Sequence, residues 1–296
     1  MITPGARKRL AMLERVEADV SRELATALRT AQRNVAERIA RAARDKKIVA
    51  SERTRRAAFS AIGGFYDRLE RELTEAIRGA AFTSAKLFHA QALSDIRAAR
   101  GRVGQAIVAF DRRRVDAVWQ VIAPDNGKNL AAVFTKSMAD NQIGYLRKSL
   151  IDVWRQGDLE GLTLTERHRE IQKLWDTHAG NTLANRFVDR AGRPWDNSKY
   201  LNMLVRTTSA RVARDTYFDT LVKNGDDLAI IENVDGDACE VCQEWDGRII
   251  SITGRTTGYP SYDKATGGGW GHPNCRCTAE RVDETVDAEK LRAQRK

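Results

Sequence analysis

Proline is nearly missing from the first half of this sequence. Only five occur in 296 residues, and none lies between Pro4 and Pro124. Proline removes a backbone donor and crowds the preceding turn, so its absence leaves long helices permitted throughout that stretch. Also missing is any run of ~18 uninterrupted apolar residues, which excludes a helical membrane span on hydropathy. No apolar segment follows the basic residues Arg7, Lys8 and Arg9. No secretory leader is therefore expected, and the chain is expected to stay in the compartment where it is made. Histidine is scarce, with four residues, and cysteine does not occur before residue 239. Any cysteine-based centre must belong to the last quarter of the chain.

Charge is plentiful but uneven. The net formal charge is +10. Residues 1–120 hold 25 Lys/Arg and 14 Asp/Glu, whereas residues 121–296 hold 25 and 26. The whole excess sits in the first part, which points to a polyanionic or acidic partner. Four segments are expected: a basic helical region 1–123, a helical middle 124–226, a β-rich Cys/His module 227–282 and a charged tail 283–296.

The basic region is rich in Ala, Arg, Glu and Leu, all good helix formers. Leu10, Leu13, Val16, Val20, Leu24, Leu28, Val35 and Ile39 recur at helical spacing. Ser51 is a candidate cap, although Thr54 stands where a capping box wants Glu or Gln. Gly63-Gly64 and Gly101-Arg102-Val103-Gly104 are the expected breaks. Two to four long helices result, and nothing in their pattern demands packing against the C-terminal module. Further on, helices are expected over Leu130–Leu150 and on to Leu159, with an interruption at Gly157–Gly161. A helix through Ile171, Leu174 and Trp175 follows, with a Thr163/Glu166 capping box. Another covers about Leu201–Val222 and stops at Asn224-Gly225. Strands are expected at 228–232, 248–252 and 277–282, with a turn at Asp246-Gly247 and a loop over 253–271. The fold class is mainly α with a small C-terminal α+β module stapled by zinc.

The strongest chemical signal is Cys239-Glu240-Val241-Cys242, followed thirty residues later by His272-Pro273-Asn274-Cys275-Arg276-Cys277. Zinc takes about four soft or borderline ligands, and short Cys spacings let one turn supply two. Cys239, Cys242, His272, Cys275 and Cys277 are thus five candidates for four positions. Reduced thiols and disulfides are the alternatives to structural zinc. Metal binding supplies on the order of 10 kcal/mol to a module with little core of its own. Catalytic zinc motifs are absent: there is no H-E-x-x-H, and no H-x-E ahead of P-C-x-x-C. Trp245 and Trp270 flank the two halves and are placed to cover the site. His89, His168 and His178 lie in helical stretches and read as packing or surface residues.

The run from Asp237 to Gly247, together with Gly271-His272-Pro273-Asn274-Cys275-Arg276-Cys277, resembles the C-terminal signature of Mu F-like phage minor head proteins, the phage head morphogenesis family. The helix carrying Val205-Arg206-Thr207-Thr208 and Tyr217 resembles that family's Arg-Thr helix. The likeness spans about residues 130–282. It implies a non-enzymatic virion protein of the head, near the portal vertex and assembled in the host cytoplasm. It also implies a portal partner, several copies around the portal, and roles in head assembly, DNA packaging or genome ejection. Contact with packaged double-stranded DNA suits the basic helices, whose phosphate binding needs no sequence reading. Arg206 is expected to pair with an acid such as Asp215 or Glu232, tying its helix to the β module. Two other classes stay open: a zinc-supported DNA nuclease using Asp235, Asp237 or Asp246, and a zinc-ribbon DNA-binding adaptor.

Overall fold

A computed structural model of the chain describes residues 4–100, 110, 112–113, 116, 130–181, 187–188, 192–233 and 239–282. The expected break at residues 101–104 and the charged tail lie outside them. The described chain is mainly helical with a small C-terminal sheet. Its helices are α1 (Pro4–Arg44), α2 (Lys47–Ala50), α3 (Glu52–Arg100), α4 (Leu130–Glu160), α5 (Leu164–Asn181), α6 (Asn197–Lys223), α7 (Glu240–Trp245) and α8 (Tyr262–Gly267). Its strands are β1 (Phe187–Val188), β2 (Pro194–Trp195), β3 (Leu228–Glu232), β4 (Ile249–Ser251) and β5 (Thr278–Arg281).

The apolar stripe read from the first forty residues is the buried face of α1: Leu13, Val16, Leu24, Leu28, Val35 and Ile39 are all buried. Ser51 does cap α3, accepting from Thr54 N at 3.3 Å. Gly63 and Gly64, expected to break the chain, lie inside α3. Two mid-helix glycines cost about 2 kcal/mol together. Burying Ile62, Tyr66, Leu69 and Leu73 on one face of the same helix outweighs that, at roughly 1.5–3 kcal/mol per large apolar side chain.

The Thr163/Glu166 capping box forms at the start of α5. Thr163 N donates to Glu166 Oε2 at 2.8 Å, and Glu166 N donates to Thr163 Oγ1 at 3.3 Å. The interruption expected over Gly157–Gly161 falls at its end: α4 runs to Glu160 and Gly161, at φ 68°, turns the chain. Gly157 serves close approach: a Cβ there would lie 2.6 Å from Arg167 Nε. Arg167 in turn pairs with Asp158 at 2.8 Å and stacks on Trp154.

The chain forms two compact units. One consists of the described residues within 22–76 and 124–201. Its core is aromatic and aliphatic. Phe59 meets Trp175, whose Nε1 donates to Ser149 Oγ at 2.7 Å, and Phe134 stacks on Tyr200. Strands β1 and β2 pair antiparallel beside it.

The other unit consists of the described residues within 1–21, 77–123 and 202–296. Its antiparallel sheet has the order β4-β3-β5, with Ala229 opposite Ile250 and Arg281. The strand periodicity of two splits β3 between two cores. Ala229 and Ile231 join Leu13, Phe88, Ala92, Ile96, Tyr217, Phe218 and Leu221, while Ile230 packs with Ile249 and Val282. The start of α1 therefore packs onto the Cys/His module, a partnership its local pattern did not demand. Arg9 anchors it, fully buried between Glu280 at 2.8 Å, Asp95 at 3.4 Å and Glu232 at 3.8 Å.

Candidate metal centre

The site is built from two tight turns and the face of one helix. In the first turn Cys239 precedes α7, and Gln243 N donates to Cys239 O at 2.9 Å. The short helix then buries Cys242 beside Trp245, three residues on. The Cys242 amide also bonds to the Cys239 sulfur, which is the leading cause of the lowered pKa of the exposed Cys239 thiol.

In the second turn Cys275 N donates to His272 O at 2.9 Å. Asn274 sits at φ 67°, in the left-handed region that an Asn tolerates better than most residues. This reversal returns the chain so that His272 and Cys275 face the same point. Residue 274 is held from α6: its amide donates to Thr207 Oγ1 at 3.1 Å, and Arg206 Nη1 donates to its Oδ1 at 3.4 Å.

The five sequence-predicted ligands come together. Cys239 Sγ lies 3.1 Å and Cys242 Sγ 3.3 Å from His272 Nε2, and Cys242 and Cys275 sulfurs are 3.6 Å apart. Two clusters result, Cys239–Cys242–His272 and Cys242–Cys275–Cys277, sharing Cys242. Among the described residues these are the only groups of three or more metal-ligating side chains within mutual reach. All four cysteines are free thiols.

The donor set suits a metal ion. Zn–S bonds of about 2.3 Å and Zn–N bonds of about 2.0 Å put neighbouring ligand atoms about 3.5–3.8 Å apart in a tetrahedron. The observed separations lie close to that. His272 Nδ1 stands 2.7 Å from the Pro273 carbonyl. A proton on Nδ1 makes that hydrogen bond and leaves the Nε2 lone pair facing Cys239 and Cys242. A carbonyl behind a histidine ligand is the usual device for fixing its tautomer.

Electrostatics report crowded donors. Burial works against a charged His272 ring, but the Pro273 carbonyl and the thiolates of Cys275 and Cys239 outweigh it and raise its pKa. Burial, then Cys275, pushes the Cys242 thiol up. A hydrogen bond from Cys277 is the main influence holding Cys275 below the ordinary thiol range, and the same bond raises Cys277.

Trp245 and Trp270 are both buried in the same core cluster as Cys242, Cys275 and Cys277, as their flanking positions suggested. Arg206 does not pair with Asp215 or Glu232. Its Nε meets Glu17 at 3.4 Å, and Glu232 lies instead near Arg9. Asp215 accepts from Tyr262 Oη at 2.5 Å. Asp246 accepts from Asn233 N at 2.7 Å, a turn-forming bond, while Asp235 and Asp237 lie outside the described residues. His89 bonds Thr220, and His178 bonds Gln142 and stacks on Tyr145.

Two residues at the site, Arg214 and Tyr262, were not singled out from the sequence, and Gly271 entered only as the first residue of the second motif. A signal existed for the first. Arg214 interrupts the apolar set Val212, Ala213, Tyr217 and Phe218 of α6, and a charge on a buried face needs a reason. Another existed for Tyr262, since Ser261 and Asp263 mark a helix start; Ser261 Oγ does accept from Lys264 N at 3.1 Å.

Residues 162–282 match the family model of phage minor capsid protein 2. The match includes α5, α6, the sheet and both cysteine turns, and it supports a phage minor head protein family, as the resemblance implied. No curated protein and no solved structure matches the chain.

Proposed function

We propose that this chain, whose residues 162–282 match a phage minor capsid family, is a structural minor head protein of a tailed bacteriophage. In this reading it associates with the portal and acts in head assembly, DNA packaging or genome ejection, without catalysing a reaction. The observation that carries the reading is the coincidence of that match with the five-donor cluster, which fits a structural metal site. Structural zinc has four protein ligands and no open position. Cys239, Cys242, His272 and Cys275 are the proposed set, supported by their 3.1–3.6 Å separations. Cys277, whose sulfur lies within 4.8 Å of those of Cys242 and Cys275, is then left as an S–H donor to Cys275. Bound zinc would link α7 to the turn before β5, adding to the apolar core that the module shares with α1, α3 and α6.

The basic first part, with its 25 Lys/Arg in residues 1–120, is proposed to meet packaged duplex DNA or an acidic portal surface. No helix among the described residues is long and apolar enough to cross a membrane.

The test is co-purification with the portal protein of the same phage, alongside quantitative mass spectrometry of virions. Portal binding and a low, fixed copy number in virions are expected. Absence from virions with no portal binding overturns the reading. Metal-dependent cleavage of plasmid DNA that is lost in His272→Ala would establish a nuclease instead.

A further inference from the structure

Arg214 is a buried cation in the wall of the cysteine cluster. Its guanidinium lies 4.5 Å from the centre of the Trp270 ring and 5.9 Å from that of Tyr262, and its Nε donates to Tyr262 Oη at 3.2 Å. Among the described residues no carboxylate forms an ion pair with it. The Asp215 carboxylate, next in sequence, acts on it electrostatically without a direct ion pair, and accepts from the Tyr262 hydroxyl at 2.5 Å. A buried guanidinium without a direct carboxylate is costly unless another anion compensates it. The other groups nearby that can carry negative charge are the cysteine sulfurs beyond the turn at Gly271, against which the guanidinium lies.

The backbone is shaped for this contact. Gly271, the residue before His272, has φ 78°. A Cβ there would lie 2.6 Å from Arg214 Nη2 and 3.0 Å from Nη1. Any side chain would push the guanidinium off the turn that delivers His272 and Cys275. Arg214 also follows Thr207 by seven residues, so both lie on one face of α6. One helix face thus grips the same turn at Asn274 and at Gly271.

We infer that Arg214 is a positioning residue and countercharge for the metal site, holding the His272–Cys275 turn in place and offsetting its excess thiolate charge. This inference rests on the metal reading proposed above. A zinc ion bound by three thiolates and one imidazole carries a net charge of about −1, and by four thiolates about −2. On the buried side of the site, at Cys242 and Cys275, that charge is favourable only with a cation beside it. Arg214 supplies that cation from a position where it is not itself a ligand.

The test compares wild type, Arg214→Met and Arg214→Lys as full-length chains. Zinc affinity is measured by competition with a chromophoric chelator between pH 6 and pH 8, and cobalt(II) spectra report the ligand set. Arg214→Met is expected to weaken zinc binding about 10–100-fold, as loss of a group supporting metal ligands does. Arg214→Lys should recover most of that affinity. Tyr262→Phe removes the oxygen that links Arg214 Nε to Asp215 and leaves the guanidinium charge in place, and it gives a second handle should Arg214→Met not fold. A several-fold loss of affinity is expected for it. Equal zinc affinity and an unchanged cobalt(II) spectrum in Arg214→Met, or in Tyr262→Phe where the first variant does not fold, overturns the inference. A loss of thermal stability that is the same with and without zinc assigns Arg214 to packing alone and also overturns it. If wild type binds neither zinc nor cobalt, the metal reading itself fails, and this outcome is distinct from the others.

Discussion

Asp227 shows how much local order a single carboxylate imposes. It accepts from Ser251 Oγ and Thr256 Oγ1, each at 2.6 Å, and from Thr253 N at 2.7 Å. Burial opposes its charge, but these bonds outweigh burial and bring its pKa from 3.8 to about 2. The sign follows directly. A lowered folded-state pKa contributes stability above the ordinary value, and the contribution is lost as pH falls through about 2. Asp227→Asn should therefore melt below wild type at pH 7, by about 1 kcal/mol after discounting for solvent exposure. The gap should shrink between pH 4 and pH 2, measured by thermal melts across that range. Arg9 makes a larger case. Arg9→Met leaves Asp95, Glu232 and Glu280 without their shared cation. Removing one partner from a buried ionic cluster costs about 3–5 kcal/mol, and chemical denaturation should show that loss. Neither residue stands out in the sequence, where Asp227 carries no motif and Arg9 is one basic residue among many.

At the scale of elements, the signals that survived are those carried by neighbours in sequence. The Thr163/Glu166 box needs only three residues of separation, and all three expected strands appear within a residue or two of their expected bounds. Thr163→Ala should remove the box and cost about 1 kcal/mol, a shift of a few degrees in the melting of the unit that holds α5. Signals decided by tertiary packing failed. Gly63-Gly64 reads as a break, yet α3 passes through because its buried face is continuous on both sides. Neither position has any atom within 4 Å of an added Cβ. Gly63→Ala should therefore stabilise the protein by about 0.5–1 kcal/mol, and a lower melting temperature would contradict that account. The short helices α7 and α8 were not foreseen. Each is six residues long: α7 follows Cys239 and buries Cys242 and Trp245, and α8 is capped by Ser261, whose side chain accepts from Lys264 N.

For the whole molecule, composition was informative about charge and the cysteine spacing about the site. The five donors were readable because two motifs, C-x-x-C and H-x-x-C-x-C, each preset a turn. Their meeting with one another, and with Arg206, Thr207 and Arg214 on α6, was not readable, since it depends on contacts across dozens of residues. The packing of the start of α1 onto the sheet was hidden for the same reason: Arg9 and Glu280 stand at opposite ends of the sequence. The charge of the first 120 residues leads to a further expectation. Binding of the full chain to duplex DNA should be independent of sequence and fall steeply with salt, roughly one power of concentration per phosphate neutralised. Filter binding at several salt concentrations measures it, and affinity insensitive to salt would contradict a phosphate-directed role.

The most direct test of the central claim, a metal-stapled structural module in a head protein, is the zinc content of the purified chain together with its thiol reactivity before and after chelation. The account predicts about one zinc per chain, with Cys239, Cys242 and Cys275 protected until a chelator removes the metal, and with zinc retained in Cys277→Ser. A chain without metal whose thiols react at once, or whose cysteines are oxidised to disulfides, would contradict it.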